Sequence, residues 1–202
     1  MAPKVSQAYK EERRANLLQS ALHCFAEKGY QATTIDDIVR QAEASKGAVY
    51  HYFKSKEDIY LQLMADSTER FFSLLEEAFG KTESAGDKVR QLVTRFPSIP
   101  MSAEDRRLVN VHLEFWLFAQ RQEELSSLMV ARYDRFLTFL TAIIEAGQAS
   151  GEFRADVDPT VASMLFWGLR DGLGLHFSTV EEKGSRDHIL QAYERMFLGY
   201  LK

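Results

Sequence analysis

The chain has 202 residues, with 25 Lys+Arg against 29 Asp+Glu, a formal net charge of -4, 46% apolar residues and one cysteine. That length suffices for one ordinary domain or for a small domain joined to a larger one, and the apolar and charged fractions exclude a disordered chain. Cys24 alone cannot form an intrachain disulfide and no Cys/His cluster has metal-ligand spacing, so a disulfide scaffold and a thiolate metal site are both excluded.

From the N-terminus, residues 1–10 carry charge but no apolar stretch, unlike a secretory signal. No uncharged apolar run approaches the roughly 18 residues that span a bilayer. The expectation is a cytoplasmic protein with no membrane partner. Helix formers dominate nearly every window and only four prolines occur, so the chain reads as all-α.

A first helix is predicted over 9–28, with Leu18, Ala21, Leu22 and Phe25 on one stripe and Gly29 supplying the stop. Thr33 and Thr34 precede Ile35-Asp36-Asp37, a side-chain oxygen followed three residues on by a carboxylate, which resembles a capping box opening a second helix over 35–42. Ser45 caps a third helix ending near Tyr52, and Ser55 a fourth that runs from Lys56 to about Phe79. Lys4, Lys10, Arg13 and Arg14 read as a solvated face. Further helices are predicted at 87–95, 103–119, 122–149, 159–180 and 186–201, separated by the Gly80–Gly86 loop, the Pro97/Pro100 loop, the Gln120-Arg121 break, Gly151 to Pro159, and Gly184.

Charge is uneven along this order. Residues 1–56 hold nine basic and six acidic side chains, a net of +3, which leaves sixteen against 23, a net of -7, for 57–202. The run from Ser45 to Lys56 has three lysines and no acid. Phosphate binding needs local positive charge, so the head is where a nucleic acid is expected. Two short helices joined by a three-residue turn and propped by a longer one form a helix-turn-helix, whose second helix can enter the major groove.

Ala21, Phe25, Gly29-Tyr30, Thr33-Thr34-Ile35-Asp36-Asp37-Ile38, Ala42, Ser45-Lys46-Gly47, Tyr50, Phe53 and Ser55-Lys56-Glu57-Asp58-Ile59 carry a resemblance. Residues 9–64 resemble the DNA-binding domain of the TetR family of bacterial transcriptional regulators. The family usually has a small residue, often Gly, in the turn where this chain has Ala42-Glu43-Ala44. A non-glycine residue there either adopts a left-handed conformation at a cost of about 1 kcal/mol or redraws the turn.

The resemblance implies an N-terminal three-helix DNA-binding domain, 1–56, joined by a long helix to a C-terminal helical bundle, 57–202, that binds an effector and dimerises, with about nine helices in all. It implies that Thr33 and Thr34 present hydroxyls and amides to phosphate. It further implies that Ser45, Lys46, Gly47 and Ala48 face the groove, Lys46 being the candidate for guanine, that Tyr50 and His51 hold flanking phosphates, and that Lys56 adds its charge at the next helix start. In the bundle, polar groups among aromatic ones single out His112, Trp116, Tyr133, Trp167 and Asp171 as pocket lining. Gly168 and Gly172 on one helix, with Ile189, Tyr193, Met196 and Phe197 on the last, are candidates for a dimer interface.

The function implied is that of a regulator acting as a repressor. A homodimer binds a palindromic operator of double-stranded DNA and is released by a small lipophilic or aromatic effector. The alternative is a ligand-independent DNA-binding protein with a filled C-terminal core. No nucleophile-base pair, paired-carboxylate setting or phosphate loop is evident, so no enzyme activity, catalytic residue, cofactor or metal is expected.

Overall fold

The computed structural model describes residues 6–80, 82, 84–94, 102–179 and 186–202. The described residues form nine helices, α1 (Gln7–Lys28), α2 (Ile35–Gln41), α3 (Lys46–Tyr52), α4 (Lys56–Phe79), α5 (Ala85–Thr94), α6 (Ala103–Ala119), α7 (Glu123–Ala149), α8 (Pro159–Thr179) and α9 (Arg186–Leu201). No strand occurs among them. Lys4, the Pro97/Pro100 loop and Gly184 lie outside the described residues.

The helix starts follow side-chain chemistry. Thr34 and Asp37 form a reciprocal capping box at α2, Ser102 and Asp105 another at α6, and the Ser45 hydroxyl accepts from the Ala48 amide at α3. α1 begins two residues earlier than its apolar stripe predicts, because Ser6 accepts from the Tyr9 amide and supplies the cap. It ends at Gly29, whose φ of 80° with extended ψ is a conformation almost confined to glycine.

The chain packs as two units, one through Phe72 and one from Ser73 onward. In the first, Phe25, Tyr30 and Tyr60 make a ring triangle with centroids 5.5 to 5.6 Å apart, beside buried Leu17, Leu18, Ile38, Val49, Phe53 and Ile59. Tyr60 belongs to α4, and Arg14 of α1 donates to Gln62 and Asp66 of the same helix. The early turns of α4 thus complete this core, which is why the division falls inside that helix.

In the second unit Phe166 is the centre. Trp167, Tyr193 and Phe197 have ring centroids 5.1, 5.2 and 5.0 Å from it. The Tyr193 hydroxyl donates to Phe166 O at 2.7 Å and the Trp167 indole to Phe136 O at 3.0 Å, so both rings are buried without losing a hydrogen bond. Gly147 of α7 lies against Phe153, and Glu152 closes the start of α5 by accepting from the Ala85 and Gly86 amides and the Ser84 hydroxyl.

Candidate functional site

The turn between α2 and α3 is a complete left-handed helix stop built without glycine. Glu43 adopts φ 48°, the Glu43 amide reaches Arg40 O at 3.3 Å, and the Ala44 amide reaches Val39 O at 3.1 Å. Ser45 then starts α3 at once. Val49 is fully buried against the core, so the neighbouring positions turn outward.

Ser45, Lys46, Gly47, Tyr50 and His51 are exposed and Ala48 is half-buried, giving one continuous outer surface. The Ser45 hydroxyl is engaged as the cap. Lys46 pairs with Asp36 of α2 at 2.7 Å, and this partner raises the ammonium's pKa. The His51 ring meets Tyr52 edge-on, 5.0 Å between centroids. A Cβ at Gly47 would meet only the Ser45 hydroxyl, at 3.9 Å. Nothing within the chain requires glycine there.

Two residues expected at this surface are placed otherwise. Thr33 is 1% exposed, and its hydroxyl donates to Gly29 O at 2.7 Å and Cys24 O at 3.1 Å, so it locks the α1–α2 connection instead of facing a phosphate. Thr34 stays exposed, but its hydroxyl serves the capping box with Asp37. The ammonium of Lys56 donates to the carbonyls of Tyr30, Gln31 and Thr33, an inward arrangement that its place in a lysine-rich run does not reveal.

In the second unit His112 of α6, Arg132 and Tyr133 of α7, and Arg170 and Asp171 of α8 share one electrostatic neighbourhood. Burial, with the Arg132 charge adding to it, lowers His112 to about 4, so the ring is neutral at pH 7. Burial raises the Asp171 carboxyl against the opposing pull of Arg170 and Arg132. The Tyr133 hydroxyl is raised first by burial and then by Asp171. Arg132 stands over the Phe136 ring and Arg170 over that of Trp167, at 5.1 and 5.3 Å.

Trp116 lies one turn beyond His112 on the same face of α6 and is 46% exposed. Trp167 is the inward member of the expected set, buried and bonded to Phe136. Arg132 and Arg170 stand beside the expected residues without having been among them. Arg170 belongs with Asp171 to the polar interruption of an apolar run on α8, whereas nothing in the sequence around Arg132 on α7 singles it out.

The expected dimer residues separate into two faces. Tyr193 and Phe197 point into the core around Phe166 and are buried, so they are not available to a second chain as this unit is packed. Met196 is 58% exposed, Gly168 is exposed, and Gly172 and Ile189 are half-buried. Beside them stand exposed Val161, Met164, Leu165 and Leu175 on α8 and Tyr200 on α9. A Cβ at Gly168, Gly172 or Gly199 would meet nothing within 4 Å.

Comparison with known proteins gives a consistent result. Residues 17–63 match the model for bacterial regulatory proteins of the tetR family, and residues 85–201 that for the C-terminal part of BetI-type transcriptional repressors. The chain is 26% identical over 173 residues to the uncharacterized HTH-type transcriptional regulator YfiR of Bacillus subtilis, covering 86% of this chain and 83% of that one. It is 25% identical over 162 residues to the fatty acid metabolism regulator protein of the same organism, covering 80% and 81%. Among solved structures, a putative transcriptional regulator from Saccharomonospora viridis in complex with choline superposes with a TM-score of 0.80 at 24% identity, over 95% of this chain and 98% of that one. FadR from Bacillus subtilis in complex with stearoyl-CoA does so with a TM-score of 0.73 at 21% identity, over 93% and 99%.

Proposed function

The chain belongs to the TetR family of bacterial transcriptional regulators, and we propose that it is a homodimeric repressor that leaves its operator when a small lipophilic or aromatic molecule enters the second unit. The observation that carries the DNA half is the outer surface of α3. Ser45, Lys46, Gly47 and Ala48 are small or cationic at the end of the helix that meets base edges, and Tyr50 and His51 offer donors beside them. Glycine inside a short helix costs about 1 kcal/mol relative to alanine. With open space around Gly47, close approach of a groove wall is the compensation.

The dimer reading is supported by the outward face of α8 and α9. Six large apolar side chains, Val161, Met164, Leu165, Leu175, Met196 and Tyr200, are exposed on these two helices. A patch of that kind marks an interaction surface, and twofold pairing would match the symmetry of a palindromic operator. Tyr193 and Phe197 are left to the core, and Gly168 and Gly172 give the partner room.

For the effector, His112, Trp116, Tyr133, Trp167 and Asp171 are proposed as the lining, with Arg132 and Arg170 added. A neutral imidazole, a phenol and aromatic faces suit a largely apolar molecule with one polar end. Release follows as a population shift, in which the effector favours a dimer whose α3 helices no longer match the half-site spacing.

Sedimentation of the protein with a duplex selected from random DNA tests the assembly. One dimer per duplex is expected, with Met196→Glu and Leu165→Glu folded, monomeric and weakly bound. Retention of the duplex by a monomeric wild type would overturn the dimeric reading. Mass spectrometry of small molecules that co-purify supplies the effector candidates, which must both raise the melting temperature and release the duplex.

A further inference from the structure

A lysine at the first position of α4 adds to the positive run of the head, and a phosphate contact is the simplest use for it. The geometry points elsewhere: we infer that Lys56 is a positioning residue, which fixes the placement of the α2–α3 pair on DNA without itself touching the DNA. The inference rests on the DNA-binding reading above.

The Lys56 ammonium donates to Tyr30 O at 2.9 Å, Thr33 O at 3.0 Å and Gln31 O at 3.2 Å. It also stands 4.5 Å from the centre of the Tyr30 ring. An ammonium has three N–H donors and no acceptor, and three carbonyls converge on this one. Reaching a phosphate would mean giving up this set.

All three acceptors belong to the segment that joins α1 to α2. The same segment is held from the α1 side by the Thr33 hydroxyl on Gly29 O and Cys24 O, and from the α4 side a second time by the Tyr30 hydroxyl on Glu57 at 3.2 Å. α2 begins immediately beyond it, and α2 carries Asp36, the partner of Lys46. Loosening the segment therefore displaces the brace beneath α3. A compact ammonium with three rotatable donors suits three converging carbonyls, which the planar fork of an arginine does not.

The test uses the full chain and an inverted-repeat duplex recovered by selection from random DNA, at temperatures where circular dichroism shows each variant folded. Lys56→Met is expected to weaken binding about tenfold while leaving the slope of log K against log salt at the wild-type value. A slope reduced by about 0.9 would reveal a lost phosphate contact and overturn the inference. Unchanged affinity in the folded variant would overturn it too, since the clamp would then serve stability alone.

Acylation of amines in the wild-type protein gives a second readout that needs no variant. Lys46 and Lys54 should react readily and be protected by the duplex, whereas Lys56 should react slowly with or without it. Fast reaction of Lys56 in the free protein, or protection of Lys56 by DNA, would contradict the clamp. A wild type that retains no duplex at low salt would instead sink the DNA-binding reading, and slow acylation of Lys56 in the free protein would still report the clamp.

Discussion

Glu43 occupies a backbone position that a glycine would adopt without strain. At φ 48° the left-handed conformation costs an L-residue about 1–2 kcal/mol, while the extra freedom of glycine in the unfolded chain costs about 0.5–1 kcal/mol. Glu43→Gly is therefore expected to raise stability by about 0.5–1 kcal/mol in urea unfolding, with DNA affinity unchanged; a loss of stability would mean that the turn is not strained. His112 gives a pH-dependent counterpart. Its folded pKa of about 4 lies below the ordinary 6.5, so its contribution is fully present above pH 6.5 and is lost as the pH falls through 4. Linkage sets that loss at roughly 3 kcal/mol, and His112→Gln should remove most of it from the difference between unfolding measured at pH 7.5 and at pH 4.5. Parallel curves for wild type and variant would show that His112 is not buried as described.

The positions of the helices were legible along the chain, but in a helix with two apolar faces the buried face was not. Thr34 with Asp37, Ser45 and Gly29 mark the ends of α1, α2 and α3 in the sequence because each satisfies an orphan backbone group by itself. α9 is different. Leu190, Tyr193, Phe197 and Leu201 face inward, while Met196, Gly199 and Tyr200 face outward, so apolar spacing alone selects no single face. The inward bonds of Thr33 and Lys56 were not legible for a related reason: a hydroxyl or an ammonium in a polar run carries no local sign of whether distant backbone carbonyls await it. At the contact of α7 with the segment that follows it, a Cβ on Gly147 would lie 2.2 Å from the Phe153 ring and 2.9 Å from the Ala85 methyl. Both neighbours are buried, so Gly147→Ala should destabilise the protein by about 1–3 kcal/mol in urea unfolding, through overpacking. An unchanged midpoint would mean that Phe153 can move aside freely.

At the scale of the whole molecule the net charge of -4 conceals a +3 head and a -7 remainder. The run from Ser45 to Lys56 that contains α3 has three lysines and no acid, and the Thr33 hydroxyl and Lys56 ammonium bond inward to backbone carbonyls. The lone Cys24 is buried on α1 among the core residues. In the proposed function α3 reads DNA sequence, with Lys46 taking a base. Selection of bound duplexes from a random pool, carried out in parallel with wild type and Lys46→Ala, tests it most directly. An inverted repeat is expected for wild type and, for Lys46→Ala, the same repeat with its preference relaxed at one symmetric pair of positions. No enrichment of any repeat by wild type at low salt, or an unaltered preference in Lys46→Ala, would contradict it.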